Sequence, residues 1–271
     1  MPELPEVEIT LRGIAPHIVG RKVQRVEVRQ PRLRWPVPPS LCKQLPGQRI
    51  EQISRRAKYL LIKAGSGTVI IHLGMSGSLR LLRADTRPAP HDHFDMIFDN
   101  DACLRLRDPR RFGCVLWTLA DPREHHLLRT LGPEPLSHQF DGDYLHRLSR
   151  GRMSTVKAFI MNAKIVAGIG NIYACEALFR SRIHPSRQAG RISKARYQRL
   201  VACIKSTLGD ALRAGGTTLR DFTHSDGTPG YFGHTLQVYG RAGEPCTECG
   251  QPIRRQIRNQ RSSFLCPHCQ R

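Results

Sequence analysis

Short runs of alternating apolar and polar residues fill the chain from about residue 22 to residue 118. Gly, Pro, Asn and Asp separate these runs, as in GSG, RPAP and DND. Runs of this length with frequent turn residues are typical of a β-sandwich or barrel. The predicted strands are KVQRVEVR, YLLIKA, TVIIHLG, SLRLL, DMIFD, ACLRLR and CVLWTL. This part of the chain is therefore predicted to form a β-rich domain.

Helical periodicity flanks the β-rich region. Near the N-terminus, Val7, Leu11 and Ile14 recur on one helical face. After the linker-like segment LGPEPLS, the helical pattern returns in MSTVKAFIMNAKIVAG, NIYACEALFRSR and SKARYQRLVACIKSTLGDALRAGG. An α+β fold follows, with predicted domains at 2–133 (β-rich), 134–240 (helical) and 241–271 (a small metal-binding module).

The C-terminal stretch CTECGQPIRRQIRNQRSSFLCPHCQ holds two CxxC pairs with sixteen residues between them. Each pair can fill two corners of a tetrahedron, so the spacing predicts one structural zinc ion, with a redox pair as the alternative. The predicted ligands are Cys246, Cys249, Cys266 and Cys269. Between them a β-hairpin is expected to present arginines to phosphates rather than only to solvent: Arg254, Arg255, Arg258 and Arg261.

The charge balance indicates the class of partner. The 271 residues include 43 Lys and Arg against 22 Asp and Glu, a formal net charge of +21. Such a surface attracts a polyanion, and nucleic acid is favoured over a membrane surface because no basic amphipathic helix with a bulky aromatic face stands out. The sequence shows neither a membrane-spanning apolar run nor a secretory signal. The five scattered cysteines are therefore interpreted as small buried thiols in a reducing compartment.

The N-terminal sequence MPELPE places two carboxylates beside a proline that becomes the first residue once the initiator Met is removed. The secondary amine of Pro2 is then either an ordinary chain end or a nucleophile. Glu6 and Glu8 suit the positive end of a helix dipole, whereas Glu3 precedes the first turn and has no such structural reason. The terminus is thus a candidate for chemistry.

Three segments place distinctive side chains at turns. In RLRDPRRFG, Arg110 and Phe112 suit a wedge into a base stack, unless Phe112 returns to the core from a β-turn. In HLGMSGSLR, Met75 either inserts into nucleic acid or packs. In GIGNIYACEALF, Asn171 caps the following helix, binds a phosphate, or does both. The third glycine of a dinucleotide-binding fingerprint is absent from this segment, which argues against that function.

Two single residues have similarly open interpretations. His91, in the HDH motif, is assigned to phosphate contact or structure, because a metal pair there lacks further ligands. Lys58 lies at the edge of an apolar strand, where it either extends its ammonium to solvent or is held close to the chemistry.

Taken together, these motifs resemble those of one family, the bacterial formamidopyrimidine-DNA glycosylases, over essentially the whole chain. The markers are PELPEVE, RRAKYLL, HLGMSGSLR, DPRRFG, the segment around KIVAGIGNIYA, SDGTPGYF, QVYGRAGEPC and the terminal CxxC pairs. The resemblance implies a β-sandwich-like N-terminal domain flanked by helices, a helix-two-turn-helix domain and a C-terminal β-hairpin zinc finger.

The resemblance also implies a bifunctional glycosylase and abasic-site lyase of base excision repair. It assigns the nucleophile to Pro2, whose amine expels the base and leaves an iminium that drives β- and δ-elimination. It makes Glu3 the acid that protonates the sugar or shuttles protons. Lys58 then transfers a proton and contacts phosphate during elimination, and Arg261 serves δ-elimination and the phosphates flanking the lesion.

For DNA binding, the resemblance implies that the target nucleotide is flipped out of the duplex. Met75, Arg110 and Phe112 then fill the gap, with Arg110 facing the orphaned cytosine. The positions implied near the DNA backbone are His91, Arg152, Lys157 and Asn171. The segment 217–232 is implied to close over the flipped base.

The expected partner is double-stranded DNA containing oxidised purines, such as 8-oxoguanine and formamidopyrimidines, or abasic sites. The expected cofactor is one structural Zn2+, and the protein is expected to be a cytoplasmic monomer without membrane association. Two alternatives are a non-catalytic zinc-containing DNA-binding protein and a related glycosylase for oxidised pyrimidines. MPELPE and Lys58 favour an enzyme, because a pure binder needs neither a free terminal proline nor an adjacent acid.

Overall fold

The computed structural model describes residues 2–216, 235–258 and 260–271. The chain divides into two compact units. The N-terminal unit comprises Met1–Thr130 and Ala214–Gly233, and the C-terminal unit comprises Leu131–Arg213 and His234–Arg271. Among the described residues, no helix is both long enough and apolar enough to cross a bilayer.

The described part of the N-terminal unit is built mainly from strands. They are β1 (Val23–Val28), β2 (Ile50–Arg56), β3 (Tyr59–Ala64), β4 (Gly67–His72), β5 (Ser78–Arg83), β6 (Asp92–Phe98), β7 (Ala102–Arg107) and β8 (Cys114–Thr118). The helical elements are α1 (Leu4–Ile18), α2 (Pro39–Gln44) and a 3-10 turn at Pro122–Glu124. Each of the seven segments predicted as strands forms one. The sequence does not predict β2, because only its first residue is fully buried and its apolar signal is weak.

The strands form two antiparallel four-stranded sheets, with strand orders β1-β6-β7-β5 and β2-β3-β4-β8. The chain passes from one sheet to the other between β1 and β2, and then through two later connections, between β4 and β5 and between β7 and β8. His72 pairs with Cys114, and Ser78 pairs with Arg107. The two connections, 73–77 and 108–113, therefore run side by side, and we call them the crossover loops.

The two sheets and α1 enclose one apolar core. Val7 and Ile14 of α1 pack with Val69 and Ile71 of β4 and with Phe94 of β6, all fully buried. α1 lies against β2, β3 and β7. Burial of apolar surface at roughly 25 cal/mol per Å² is the main force that holds such layers together. The predicted sandwich-like domain is confirmed, and α1 is fixed to it.

The cysteines outside the C-terminal cluster are free thiols. Cys103, Cys114 and Cys175 are buried, and Cys42 and Cys203 are partly buried. Burial raises the pKa of Cys103 and of Cys114 to about 12, so both thiols stay protonated near neutral pH. The predicted buried thiols are confirmed at Cys103, Cys114 and Cys175, whereas Cys42 and Cys203 are only partly buried.

The described part of the C-terminal unit is helical, with one hairpin. Its elements are α3 (Gly142–Ser149), α4 (Val156–Ile160), a 3-10 turn at Ala189–Arg191, α5 (Asn171–Arg180), α6 (Lys194–Arg213), β9 (Arg254–Arg258) and β10 (Arg261–Leu265). α6 packs against α3 and α5. The predicted helices at α5 and α6 are confirmed. The helical prediction for 153–168 is wrong beyond Ile160, because Asn162 accepts the N–H of Lys164 at 3.0 Å and starts a turn.

A second, smaller core joins α5 to the C-terminal module. Cys175 and Phe179 of α5 pack with Val238, and Cys266 belongs to the same cluster. The carboxylate of Glu176, only 1% exposed, accepts the three successive backbone N–H groups of residues 237–239 at 2.8 to 3.0 Å. Three such bonds compensate the cost of burying the charge. The segment 237–239, which leads into the metal-binding module, is therefore held against α5.

Candidate functional site

The N-terminal residues are buried and hydrogen-bonded. Pro2 is buried directly before α1, and Glu3 and Glu6 are each only 1% exposed. Glu3 occupies the N-cap of α1, and its backbone N–H donates to Oε2 of Glu6 at 2.8 Å. Reciprocal bonding of this kind satisfies N–H groups that a helix start leaves unpaired. The interpretation that Glu3 has no structural reason is wrong, since it caps the helix that follows Pro2.

The hairpin that carries Lys58 is tied to the same helix. Arg55 bonds Oε2 of Glu8 in α1 at 2.9 Å and donates to the carbonyl of Ala57 at 2.8 Å. Ala57 and Lys58 form the two-residue turn between β2 and β3, with Ala57 at φ +54°. An alanine in this region is uncommon and persists where its surroundings fix it. The structure thus places Lys58 on a turn fastened to the helix that begins beside Pro2.

His72, to which the sequence pattern gave no role, pairs with Tyr59 and lies near the charge of Lys58. Its ring is 4.7 Å from that of Tyr59, and its Nδ1 accepts the N–H of Gly74 at 2.9 Å. Burial lowers the pKa of His72 to about 4, and the positive charges of Lys58 and then Arg34 add to the effect. A neutral imidazole therefore links the Lys58 turn to the crossover loop of Met75.

Met75, Arg110 and Phe112 lie on the two adjacent crossover loops, and we call them the wedge. Met75 is 38% exposed and Phe112 is 43% exposed, so neither residue belongs to the core. The guanidinium carbon of Arg110 lies 4.8 Å from the centre of the Phe112 ring, within cation–π range. The wedge borders a cavity of about 740 Å³ that is also lined by Arg32, Arg34 and His72. An exposed apolar pair with an arginine suits insertion into stacked bases.

His91 is exposed and has φ +75°, and its carbonyl accepts the backbone N–H of Asp108 at 3.0 Å. It therefore adjoins the second crossover loop. Asp108 is completely buried and was not identified from the sequence. The sequence did hold one indication of this role, because Asp108 comes immediately before the PRRF turn. An aspartate at such a position often accepts hydrogen bonds from the backbone N–H groups of the turn.

In the C-terminal unit, Lys157 and Asn171 converge on one carbonyl of the zinc hairpin. Nζ of Lys157 donates to the carbonyl of Ser262 at 2.7 Å and to the hydroxyl of Ser263 at 2.8 Å. The amide of Asn171 donates to the same Ser262 carbonyl at 3.0 Å. Lys157 is only 6% exposed. Both side chains therefore hold β10 in place, next to the exposed Arg261.

The capping interpretation of Asn171 is wrong, because Gly170 is the N-cap of α5 and Asn171 is the first helical residue. A cavity of about 370 Å³ brings Lys157, Arg258 and Arg261 together. Arg152 is not among its described lining residues. It lies in the exposed loop after α3, where its carbonyl accepts the N–H of Gly190 at 3.0 Å.

The four C-terminal cysteines converge as the spacing predicts. Their sulfur atoms all lie within 4.8 Å of one another, with Cys249 and Cys266 3.4 Å apart and Cys246 and Cys269 4.0 Å apart. A tetrahedral zinc ion with bonds of 2.3 Å separates its sulfur ligands by about 3.8 Å. The arrangement fits one structural zinc ion with no position left for a substrate. The segment 217–232, expected to close over a flipped base, lies outside the described residues.

Comparison with known families gives three matches along the chain. Residues 1–115 match the formamidopyrimidine-DNA glycosylase N-terminal domain, and residues 131–223 match the H2TH domain of the same glycosylase. Residues 243–271 match the zinc finger found in FPG and IleRS. The third match agrees with the four-cysteine cluster, and together they identify a structural zinc module in this chain.

Curated relatives match over their whole length. The formamidopyrimidine-DNA glycosylase of Methylococcus capsulatus is 56% identical over 271 residues, and that of Nitrosococcus oceani is 57% identical over 270 residues. In both cases all of this chain and all of the relative are covered.

Solved structures of the same kind superpose closely. The MutM (Fpg) protein of Thermus thermophilus has a TM-score of 0.90 at 36% identity, covering 99% of this chain and 98% of that chain. A mutant of Lactococcus lactis Fpg bound to DNA containing Fapy-dG has a TM-score of 0.92 at 34% identity, with complete coverage of both chains. Wild-type Lactococcus lactis Fpg bound to DNA containing an oxidised pyrimidine gives the same TM-score and identity.

Proposed function

Because the chain belongs to the formamidopyrimidine-DNA glycosylase family, we propose that Pro2 is the nucleophile of a combined glycosylase and lyase reaction. The protein is a DNA glycosylase of oxidised-base repair with one structural zinc ion. The burial of Pro2, just before α1 and close in the chain to the buried carboxylates of Glu3 and Glu6, carries the proposal about this residue. A chain end without a function is ordinarily exposed and frayed.

The proposed chemistry starts at the amine that Met1 removal frees. The nitrogen of Pro2 attacks C1′ of the damaged nucleotide, and the bond from C1′ to the base breaks. The bond from C1′ to the ring oxygen then breaks as that oxygen takes up a proton, and the secondary amine is left as a charged iminium, which acidifies C2′. Loss of the C2′ proton expels the 3′ phosphate, and a second elimination expels the 5′ phosphate. Substrates of this class include 8-oxoguanine, formamidopyrimidines and abasic sites.

Glu3 and Lys58 supply the proton transfers in this proposal. Glu3 adjoins the nucleophile in the chain, which suits an acid that protonates the sugar oxygen or the departing base. Lys58 sits on a turn tied to α1 and beside the neutral His72. The positive charge of Lys58 suits contact with a phosphate. Arg261, exposed at the start of β10, is assigned to the phosphates and to δ-elimination.

DNA binding is assigned to both units. The wedge of Met75, Arg110 and Phe112 replaces the flipped nucleotide in the stack. His91, Arg152 and Asn171 stay predictions for contact with the DNA backbone, and Lys157 serves the same surface by holding β10. The functional segments remain those predicted at 2–133, 134–240 and 241–271. The enzyme is assigned to the bacterial cytoplasm, as a monomer, because its DNA substrate lies there and one chain carries every assigned residue.

Borohydride trapping tests the proposal. The wild-type chain is incubated with a duplex containing 8-oxoguanine opposite cytosine, reduced, digested and analysed by mass spectrometry. We expect one adduct on Pro2, and we expect Pro2→Gly to slow excision by roughly 10³-fold while duplex affinity is kept. Pro5→Ala, at the neighbouring buried proline, is the matched control and should keep the adduct.

An adduct on Lys58, or full turnover by Pro2→Gly, contradicts the assignment of the nucleophile. Binding without any adduct supports the non-catalytic DNA-binding protein. A duplex with an oxidised pyrimidine belongs in the same panel, since the Lactococcus lactis relative was solved with such DNA. Faster excision there than with 8-oxoguanine supports the pyrimidine-preferring alternative.

A further inference from the structure

The two crossover loops touch through their backbones. Gly74 has φ +64°, and a Cβ placed there would lie 2.4 Å from the carbonyl carbon of Phe112 and 2.4 Å from the nitrogen of Gly113. Real Cβ atoms do not approach backbone so closely, so only glycine allows this contact. The loop of Met75 and the loop of Arg110 and Phe112 therefore form one packed layer at the edge of the two sheets.

The buried carboxylate of Asp108 forms hydrogen bonds to both of these loops. Its Oδ1 accepts the hydroxyl of Ser76 at 2.9 Å, and its Oδ2 accepts the backbone N–H of Gly113 at 2.7 Å. The hydroxyl oxygen of Ser76 in turn accepts the N–H of Arg110 at 3.3 Å. Asp108 is completely buried and Ser76 is 6% exposed. The bonds thus join Arg110 itself with the residues that directly follow Met75 and Phe112 in the chain.

The backbone of Asp108 is fixed as well. Its N–H donates to the carbonyl of His91 at 3.0 Å, and its carbonyl accepts the N–H of Arg111 at 3.1 Å. Nε2 of His93 lies 3.0 Å from the same carbonyl. Every polar atom of this residue therefore has a partner, and those partners come from three segments of the N-terminal unit.

We propose that Asp108 is a positioning residue that couples the two crossover loops, so that Met75, Arg110 and Phe112 enter the base stack as one rigid wedge and discriminate the base opposite the lesion. The inference rests on the proposed function. The side chains of Met75 and Phe112 are too exposed to be held by the core, so their positions depend on the backbone beneath them. Asp108 fixes that backbone from both loops at once.

This placement predicts a loss of selectivity rather than a general loss of chemistry. Asp108 bonds neither Pro2 nor Lys58 among its described contacts. In Asp108→Asn, one oxygen becomes an NH2 group that faces either the Ser76 hydroxyl or the Gly113 N–H. A donor then meets a donor at Gly113, or the hydroxyl of Ser76 has to turn and release Arg110. Either change loosens one loop relative to the other.

The experiment compares single-turnover excision of 8-oxoguanine opposite C and opposite A, for wild type, Asp108→Asn and Ser76→Ala. A third substrate carries an abasic site opposite a one-nucleotide gap, where Arg110 has no base to face. We expect Asp108→Asn to lower the ratio of the C rate to the A rate by about tenfold, as misplaced contacts do. Ser76→Ala should change the ratio in the same direction by a smaller factor, and the gapped substrate should lose much less.

Asp95→Asn is the matched control. Asp95 is a buried carboxylate of the same unit, but it pairs with Arg105 at 2.7 Å and with Arg29 at 2.6 Å rather than with the crossover loops. It should lower thermal stability and leave the ratio of rates unchanged.

Equal losses on all three substrates, or the same change of ratio in Asp95→Asn, show general destabilisation and overturn the coupling role. An unchanged ratio in both Asp108→Asn and Ser76→Ala overturns it too, while wild-type excision keeps the proposed function intact. A wild-type protein that forms no adduct and excises no base overturns both.

Discussion

The wedge of the N-terminal unit and the zinc hairpin of the C-terminal unit both present exposed side chains, but different chemistry holds each of them. Beneath the wedge lies a single carboxylate, Asp108, bonded to a hydroxyl and a backbone N–H. The hairpin rests on a four-cysteine cluster and on the ammonium of Lys157, which bonds the carbonyl of Ser262. One support is an anion with neutral donors, and the other is a metal and a cation.

The different supports predict which perturbation will displace the exposed side chains of each region. An exposed side chain gains little position from its own packing, so the buried polar group behind it determines its placement. The wedge should be insensitive to chelators and thiol reagents, because its support contains neither metal nor thiol. Loss of the metal should unfold the hairpin and greatly weaken DNA binding. Substitution of Lys157 should lower stability and DNA affinity by a smaller amount. Three perturbations separate these cases.

Loss of zinc should have the largest effect. In Cys249→Ser, we expect zinc content to fall and affinity for an abasic-site duplex to drop by roughly 100-fold or more, because a structural zinc supplies most of the folding free energy of its module. Mass spectrometry gives the metal content and fluorescence anisotropy gives the affinity. Cys203→Ser, at a partly buried thiol outside the cluster, is the control. Retained zinc with unchanged affinity in Cys249→Ser would remove the four-thiolate site.

Lys157→Met should have an intermediate effect. It removes the ammonium donor from the Ser262 carbonyl, which keeps its bond to the Asn171 amide, and lowers the free energy of unfolding by about 1–3 kcal/mol. DNA affinity should fall without a change in its salt dependence, because the buried ammonium supports β10 and does not release counterions. Arg261→Met, at an exposed arginine, should instead reduce the slope of log K against log salt by about 0.9.

Binding titrations over a range of salt concentrations measure both slopes, and urea unfolding measures the stability. Lys164→Met is the matched control, because Lys164 is an exposed lysine of the same segment. A reduced slope in Lys157→Met would place that ammonium directly on a phosphate.

The pH dependence at His72 should be the smallest effect. Its folded pKa of about 4 lies below the ordinary value of 6.5, so the unfolded chain binds more protons between these values. The stability associated with the neutral ring is complete above about pH 6.5 and is lost as the pH falls toward 4. Between about pH 7 and pH 5 this loss amounts to roughly 1–2 kcal/mol.

His72→Gln should therefore lose less stability on acidification than the wild type, as measured by urea unfolding at the two pH values. His126→Gln, at an exposed histidine, should behave like the wild type. Equal acid sensitivity in all three proteins would show that the ring of His72 titrates normally.

What the sequence predicts well is local. The zinc ligands depend on a spacing within each CxxC pair, and the wedge residues are marked by turns rich in glycine and arginine. The strands are predicted from the alternation of apolar and polar residues, which can be read within each segment without knowing its partner strand. Glu3 also had a local signal, because Glu3 and Glu6 have the spacing of a capping box, although glutamate is not a usual cap.

The unpredicted features depend on distant partners. Asp108 acts through Ser76, 32 residues away, and the contact exists because β4 pairs with β8 and β5 with β7 in one register. Lys157 meets Ser262 across 105 residues. A lysine in an amphipathic segment gives no sign that a remote carbonyl will bury it, since a one-residue change of register would remove the partner.

Because Pro2 is buried in the folded protein, Met1 has to be removed before the N-terminal unit folds. β1 pairs with β6, and β4 pairs with β8, so the sheets cannot close around α1 until Thr118 has been synthesised. At ribosomal speeds this takes roughly 6–24 seconds, during which the terminus stays accessible. We expect a methionine aminopeptidase to release Met1 from the unfolded chain and to leave the folded chain intact, which mass spectrometry can show. Under the proposed role of Pro2, we therefore expect Met1 removal to be confined to the period of translation, and a chain that folds before processing to be inactive.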